Sequence, residues 1–356
     1  MKKIILTGGG TAGHVTPHLA LLPALHNAGF KIQYIGSHQG IERTLITKTG
    51  LTYHAIASGK LRRYFDMRNF TDMFRVVKGL GDALKILRRE KPDLIFSKGG
   101  FVAVPVIIAA RMLRIPTVVH ESDFTPGLAN RIASPFAHKI CVAFPETKKL
   151  VPEKKGVVTG IPIREALLKG DTQKGLTLCG FENNGLPILL VTGGSLGAKI
   201  INQTIREALP TLTTRYRIIH LCGKGNKSTT PHHHYVQFEY VEDGLADLYA
   251  AADIVVSRAG AGTLFELLAM KKPHLLVPLS KNASRGDQIL NAQSFKQQGF
   301  SVVLPEEEMT PARLIDEINA LYQQRASFTN AMNKANTVNS TTAVMEVLLN
   351  AINLSL

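Results

Sequence analysis

The chain of 356 residues has no tryptophan and only three cysteines, Cys141, Cys179 and Cys222. The cysteines are odd in number and far apart, so they fit neither a metal site nor a disulfide framework and indicate free thiols in a reducing compartment. Acidic residues are few, 27 against 42 lysines and arginines, which leaves a formal net charge of +15. That excess suits nucleic acid, an anionic membrane surface or phosphorylated substrates, and composition does not choose among them.

Long apolar runs are also missing. The longest, residues 101–110, is about half of a bilayer span and contains Pro105. The N-terminal run, Ile4–Leu6, stops at three glycines and is too short for the hydrophobic region of a signal peptide. The sequence therefore predicts no membrane-spanning segment. With 45% apolar and 19% charged residues, the composition is that of a globular protein long enough for two domains.

Short apolar strands alternate with helical segments, and the strands end in glycine-rich turns. Residues 2–6 and the turn 7–14 begin one such half, and residues 187–191 with the turn 192–198 begin a second, similar half. This pattern predicts an α/β protein with two doubly wound, Rossmann-like parallel-sheet domains that face a central cleft. We expect the domains at residues 1–162 and 163–337, with a C-terminal helix at about 338–356.

The most informative turn follows the apolar run 252–256. A buried strand that breaks at Gly260 and Gly262 and restarts as a helix near Thr263 directs first-turn N–H groups at a ligand, which suits a phosphate. Arg258 adds positive charge, and Glu266 can accept two hydrogen bonds from a sugar diol. The turn predicts a nucleotide site. The alternative is an ordinary strand–turn–helix in which Thr263 caps the helix.

Two further features leave alternatives open. The turn 7–14 satisfies the G-x-G-x-x-G dinucleotide fingerprint, but no acid precedes Glu42 to bind a ribose, which argues against a nicotinamide enzyme. The segment 70–89 is a basic amphipathic helix, preceded by the basic stretch Lys60–Arg63. Such a helix either lies on an anionic membrane or buries its apolar stripe on its own sheet.

Seven segments taken together, in order, resemble the MurG family of peptidoglycan N-acetylglucosaminyltransferases. They are residues 9–17, 98–102, 120–130, 159–164, 193–198, 257–263 and 287–292. The resemblance implies a GT-B fold in which the C-terminal helix returns to the first domain. It also implies an inverting, metal-independent transfer of GlcNAc from UDP-GlcNAc to the C4 hydroxyl of undecaprenyl-diphosphate-linked muramyl-pentapeptide, lipid I, which gives lipid II. No cofactor is expected, and the protein would be peripheral, at the cytoplasmic face of the bacterial plasma membrane.

The same resemblance implies roles for residues in the second half. Glu266 would hold the ribose, Gln288 the donor sugar, and Arg164 the interdomain side of the nucleotide, while the helix N-terminus stabilises the departing diphosphate. The uracil would lie near Tyr240. The residues expected at UDP-GlcNAc are Thr11, Ala12, Gly13, Arg164, Ser195, Tyr240, Val241, Arg258, Ala261, Gly262, Thr263, Leu264, Glu266, Asp287 and Gln288.

In the first half, His14 is the candidate general base, since histidine accepts a proton near neutral pH. Alternatively, His14 only binds the acceptor diphosphate or caps its own helix, and His120 and Glu121 can be structural. The residues expected on the acceptor side are Gly10, His14, Gly99, Gly100, His120, Glu121 and Asp123. An acceptor anchored in an anionic leaflet also implies a membrane surface, expected at Phe70, Phe74, Lys78 and Lys85.

Four residues depart from a common form of the family pattern, namely Ala12, Asp123, Leu196 and Asp287, and leave the contact with the N-acetyl group unassigned. A second hypothesis is another GT-B enzyme that uses a UDP-sugar, such as a glycolipid synthase or a UDP-GlcNAc epimerase, which would differ in the first domain. A third is a non-catalytic basic protein that binds nucleic acid. No known nucleic-acid module is visible, so we expect no nucleic-acid partner.

Overall fold

A computed structural model describes residues 2–59, 68–182, 185–194, 197–229, 231–241, 243–281, 286–335 and 339–353, without the side chains of residues 68–73. The chain forms two compact units. Unit 1 comprises Met1–Arg164 and Thr337–Leu356, and unit 2 comprises Glu165–Asn336.

Unit 1 is an α/β unit. Its described strands are β1 (Lys3–Thr7), β2 (Lys31–Ser37), β3 (Thr52–Ile56), β4 (Leu94–Ser97), β5 (Thr117–Glu121), β6 (Lys139–Val142) and β7 (Gly156–Val158). Its described helices are α1 (Thr16–Asn27), α2 (Ile41–Thr47), α3 (Arg68–Glu90), α4 (Ala103–Met112), α5 (Leu128–Ala133) and, from the end of the chain, α13 (Ser340–Asn353).

Unit 2 has the same alternation. Its described strands are β8 (Ile188–Thr192), β9 (Arg217–Leu221), β10 (Tyr235–Phe238), β11 (Ile254–Ser257), β12 (His274–Leu276) and β13 (Ser301–Val303). Its described helices are α6 (Thr172–Cys179), α7 (Lys199–Leu212), α8 (Leu245–Ala251), α9 (Ala261–Ala269), α10 (Asp287–Gln297), α11 (Pro311–Gln323) and α12 (Arg325–Lys334).

Both sheets are parallel throughout the described strands, in the orders β3-β2-β1-β4-β5-β6-β7 and β10-β9-β8-β11-β12-β13. In unit 1, Ile4 pairs with Ile32 of β2 on one side and with Leu94 of β4 on the other. Helices cover both faces of such a sheet, so its central strands are buried on both sides and read as continuous apolar runs. Each order reverses direction once, between β1 and β4 and between β8 and β11, as in doubly wound folds.

Helix α13 completes the core of unit 1 although it follows all of unit 2 in the chain. It packs against α1 and β4 to β6, and Val344 and Leu348 are fully buried there with Leu21 and Phe96. A helix was expected at about 338–356, and the structure has α13 at Ser340–Asn353; residues 338 and 354–356 lie outside the described part of the chain.

Helix α3 changes character along its length. Towards its C-terminus, Ala83 and Leu87 are buried against the sheet, as expected for an ordinary surface helix. Towards its N-terminus, Phe74 is 76% exposed and Val77 is 63% exposed. The basic residues expected beside them, Lys78 and Lys85, are exposed. The side chain of Phe70 and the stretch Lys60–Arg63 lie outside the described residues.

None of the described helices combines the length and the apolar character that a bilayer crossing requires.

We expect Leu348→Ala to destabilise unit 1 by about 2 to 4 kcal/mol, because it removes a fully buried side chain and leaves a cavity. Hydrogen–deuterium exchange should become faster in peptides from β4 and β5 and stay unchanged in peptides from α7 of unit 2. Asn350→Ala is the matched control, since Asn350 is exposed on the same helix. Equal exchange in the two variants would contradict this packing role.

Candidate functional site

In unit 1, the expected site residues lie where neighbouring strands end. β1, β4 and β5 are adjacent in the sheet, and they lead into the turns 8–15, 98–102 and 122–127. The carboxyl ends of parallel strands share one edge, and ligands of open α/β sheets bind at that edge where the strand order reverses. The reversal lies between β1 and β4, so the turns after these two strands are at the expected position for a ligand.

The turns after β1 and β4 contact each other through their main chains. A Cβ atom on Gly100 would lie 2.3 Å from Gly9 O, and Gly100 has a φ of +81°, so glycine is required there. Next to this contact, Lys98 N donates to Thr7 O at 2.9 Å. The two turns are therefore held in fixed positions by main-chain contacts.

His14 ends a short 3-10 helix, Ala12–His14, after β1. Its Nδ1 lies 2.7 Å from Gly9 O, and because a carbonyl oxygen only accepts, Nδ1 must donate. The neutral ring then carries its lone pair on Nε2. His14 is half-buried, whereas the neighbouring Thr11 and Gly13 are exposed.

A buried polar cluster follows β4 and β5. Lys98 is 1% exposed, and its Nζ donates to His120 Nδ1 at 2.6 Å and to Ser122 Oγ. His120 Nε2 donates to Gly160 O at 2.8 Å. Burial lowers the pKa of Lys98 to about 8. Burial, with the nearby charge of Lys98, keeps the pKa of His120 well below its ordinary value. His120 is therefore a neutral link between β5 and the segment at Gly160.

The carboxylate of Glu121 organises the turn after β5. It accepts hydrogen bonds from Asp123 N at 3.0 Å, Gly127 N at 2.9 Å and Asn130 Nδ2 at 2.8 Å. Burial raises the pKa of Glu121, and these hydrogen bonds act in the opposite direction. Glu121 fixes the shape of the turn that contains Asp123, and its carboxylate is used within the protein.

In unit 2, helix α9 begins at Ala261, two residues before the expected start near Thr263, and its N-cap residue is Gly260. Thr263 is therefore not the cap. No side chain among the described residues caps this helix. Because α9 follows β11 directly, its first-turn N–H groups lie at the carboxyl edge of the sheet, beside the reversal between β8 and β11. This is the geometry of an anion site. Glu266 is half-buried one turn further along α9.

Side chains of helix α10 form hydrogen bonds with the backbone of the surrounding turns. The buried Asn291 donates from Nδ2 to Ala259 O at 3.2 Å, directly before α9. Gln288 Oε1 accepts from Leu279 N at 3.1 Å, so its amide nitrogen is the end available to donate. Asp287 is the first residue of α10.

The charge of Arg258 is used inside unit 2. Its side chain is 11% exposed, and Nη1 donates to Glu306 Oε2 at 2.9 Å and to Val277 O at 3.1 Å. Arg258 was expected to add positive charge beside a phosphate, and its guanidinium is paired with Glu306, as a cation this buried requires a counter-charge. Of the groups expected at a phosphate, the first-turn N–H groups of α9 remain as the candidate anion-binding element.

The other expected donor residues are more scattered. Tyr240 is 64% exposed after β10, Val241 is half-buried, and Arg164 is the half-buried last residue of the first segment of unit 1. Ser195 and Leu196 lie outside the described residues.

Two family models match most of the chain. The N-terminal domain of glycosyltransferase family 28 matches residues 4–142, and the C-terminal domain of the same family matches residues 188–348. The chain belongs to glycosyltransferase family 28. It is therefore a hexosyltransferase. The N-terminal match falls within unit 1, and the C-terminal match falls mainly within unit 2.

Relatives in family 28 are similar over nearly their whole length. A protein of Clostridium tetani is 53% identical over 349 residues, which are 98% of this chain and 97% of that protein. A protein of Clostridium botulinum strain Hall is 54% identical over 350 residues, 98% of this chain and 99% of that protein. Both are named UDP-N-acetylglucosamine--N-acetylmuramyl-(pentapeptide) pyrophosphoryl-undecaprenol N-acetylglucosamine transferase.

Solved structures confirm the expected GT-B fold class with two Rossmann-like units. Acinetobacter baumannii MurG matches with a TM-score of 0.78 at 26% identity, over 98% of this chain and 100% of that chain. The glycosyltransferase of kitacinnamycin matches with a TM-score of 0.76 at 16% identity, over 99% of each chain, and shows similarity of fold alone.

Several residues that support this family 28 site were not found from the sequence: Glu42, Lys98, Asn130, Asn291 and Glu306. Lys98, Asn130 and Asn291 lie inside the resembling segments, where a polar residue directly after a buried strand or inside a helix motif was the available signal. Glu42 and Glu306 have partners 32 and 48 residues away, Gly10 and Arg258, and periodicity carries no signal for such pairs.

We expect the buried Lys98 to make unit 1 more stable as the pH rises from 8 to 9.5. The pKa of Lys98 is about 8 in the folded chain and 10.5 without burial, so over this range the unfolded chain holds a proton that the folded chain has lost. Relative to Lys98→Met, the free energy of unfolding should rise by about 2 kcal/mol, measured by urea denaturation at both pH values. A constant difference would contradict the lowered pKa.

Proposed function

We propose that this chain transfers GlcNAc from UDP-GlcNAc to the C4 hydroxyl of undecaprenyl-diphosphate-linked muramyl-pentapeptide, lipid I, and so forms lipid II for peptidoglycan synthesis. The observation that carries the proposal is the 53 to 54% identity, over 98% of the chain, to relatives that bear the name of this transferase. The glycine turns at the carboxyl edges of both sheets give it a physical basis.

In the proposal, unit 2 binds the donor. The diphosphate accepts hydrogen bonds from the first turn of α9, at Ala261 to Leu264, whose N–H groups lie at the sheet edge. Glu266 accepts hydrogen bonds from the ribose hydroxyls, and the amide nitrogen of Gln288 donates to the donor sugar. These donors are preorganised, and they stabilise the charge that develops on UDP as it leaves without a metal ion.

Unit 1 binds the acceptor in the proposal, and His14 is the general base. His14 Nε2 takes the proton of the C4 hydroxyl while that oxygen forms a bond to C1 of GlcNAc. The bond between C1 and the β-phosphate oxygen breaks, and UDP leaves from the opposite face, so the configuration at C1 inverts. The hydrogen bond from Nδ1 to Gly9 O supports this role, because it sets the tautomer with the lone pair on Nε2.

The test is transfer of labelled GlcNAc to a short-chain lipid I analogue in the presence of EDTA. We expect wild-type transfer to persist. We expect His14→Ala to lower kcat by about 10² to 10⁴, the range for loss of a general base, with unchanged affinity for UDP. Glu266→Ala is the reciprocal variant and should weaken UDP binding about tenfold to a hundredfold.

Loss of transfer on adding EDTA would remove metal independence from the proposal. A wild-type protein that binds UDP-GlcNAc but leaves the lipid I analogue unchanged would indicate a different acceptor. Full activity in His14→Ala would remove the base role and leave the reaction itself in place.

We further propose that unit 1 docks peripherally on the anionic cytoplasmic leaflet of the bacterial plasma membrane through the N-terminal part of α3. A crossover helix begins at the carboxyl edge of a parallel sheet. Consistent with this, a Cβ atom on Gly79 would lie 2.2 Å from Ala57 O, just after β3. Phe74 is five residues, about 8 Å, before Gly79 along the helix. The exposed Phe74 and Val77 are thus on the acceptor side of the sheet.

Replacing both Phe74 and Val77 by serine should weaken binding to vesicles rich in phosphatidylglycerol by about tenfold to a hundredfold, because two exposed apolar side chains no longer enter the lipid. Flotation of protein with vesicles measures the change, and UDP affinity should stay the same. Leu178→Ser is the control, since Leu178 is 45% exposed on α6 of unit 2. Equal binding by wild type and the Phe74/Val77 variant would exclude this surface.

A further inference from the structure

The peptide unit between Gly9 and Gly10 is hydrogen bonded on both sides. Its N–H group, on Gly10, donates to Glu42 Oε2 at 3.1 Å. Its carbonyl oxygen, on Gly9, accepts from His14 Nδ1 at 2.7 Å. The N–H and C=O groups of a trans peptide point in opposite directions. Glu42 and His14 therefore lie on opposite sides of one peptide unit.

The Glu42 carboxylate occupies a closely fitted position. Glu42 is fully buried near the start of α2, and its Oε1 accepts hydrogen bonds from the backbone N–H and the hydroxyl of Ser37. A Cβ atom on Gly9 would lie 2.5 Å from the carboxyl carbon, and one on Gly40 would lie 2.1 Å from both carboxylate oxygens. The surrounding residues leave room for this carboxylate and hold it against the Gly10 N–H.

We infer that Glu42 is a positioning residue for His14 and acts through the Gly9–Gly10 peptide. A hydrogen bond to a carboxylate polarises the peptide and places more negative charge on Gly9 O. That oxygen then holds the Nδ1–H of His14 more strongly and stabilises the imidazolium that forms when Nε2 takes a proton. An aspartate orients the catalytic histidine of hydrolase triads by the same physics, but without an intervening peptide.

Of the other titratable groups near this turn, Lys98 acts in the opposite direction, whereas His18 and Tyr34 are neutral. Lys98 lies at the end of β4, and His18 lies on α1, where burial, then the charges of Lys98 and His14, keep the pKa of His18 well below its ordinary value. Tyr34 of β2 donates to Gly8 O and stays protonated, because burial raises its pKa. Among the described groups around the turn, Glu42 supplies negative charge that offsets the charging of His14.

The decisive variant is Glu42→Gln, which keeps the size of the side chain and removes its charge. NMR titration of ¹³C-labelled histidine in the intact protein should show the midpoint of His14 falling by about half to one pH unit. The inference rests on the proposed role of His14 as base. The midpoint of the acid limb in the pH profile of kcat should therefore shift to lower pH by the same amount, and the plateau value of kcat should be about tenfold lower.

Glu90→Gln is the matched control. Glu90 accepts from Gln33 Nε2 at 2.9 Å and pairs with Lys3 at the start of β1, the opposite edge of the sheet from His14. This variant should leave the His14 midpoint at its wild-type value. A folded Glu42→Gln protein with an unchanged His14 midpoint would overturn the inference.

If Glu42→Gln does not fold, NMR measurements on the wild-type protein still test the inference. The ¹⁵N shifts of neutral His14 should show the Nδ1–H tautomer, and the Gly10 amide resonance should titrate with the His14 midpoint. An Nε2–H tautomer, or a Gly10 amide that does not respond, would overturn the coupling. Full transfer by His14→Ala would instead remove the base role, and the NMR titration would continue to decide whether Glu42 acts on His14.

Discussion

The main-chain contact between Gly9 and Gly100 fixes the edge of the unit 1 sheet at which the candidate site residues lie. It joins the turns after two adjacent strands at the point where the strand order reverses, and it leaves no space for a side chain between them. Polar groups are then attached to this backbone: His14 and Glu42 to the Gly9–Gly10 peptide, and Lys98 beside Thr7.

The turn at the sheet edge of unit 2 is built differently from that of unit 1. At its corresponding turn the charged side chain, Arg258, is neutralised by Glu306, and the first turn of α9 is left to supply N–H groups. A site made from main-chain dipoles fixes an anion without a buried, unpaired cation, which would be costly. Exposed basic residues lie elsewhere, among them Lys78 and Lys85 of α3.

The order of strands, helices and glycine turns was predictable because strands buried on both faces read as continuous apolar runs and end abruptly at glycine. The placement of His14 and of the α9 turn at sheet edges follows from that order. The pairing of Arg258 with Glu306, 48 residues later, was not predictable, because it depends on which distant side chain fills the space beside the strand. The role of Glu42 was missed for the same reason. The sequence shows that Glu42 is not at the position of a ribose-binding acid, but it does not show that its carboxylate accepts a hydrogen bond from the glycine turn at Gly10.

Helix α13 follows unit 2 in the chain and yet supplies part of the core of unit 1. On the ribosome, strands β4 to β6 are therefore synthesised long before the helix that packs against them. Unit 2 has all of its described elements available while unit 1 still exposes the surface that Val344 and Leu348 will cover. Unit 1 is thus the first unit to be synthesised and the last to be completed. During that interval the nascent chain has exposed apolar surface.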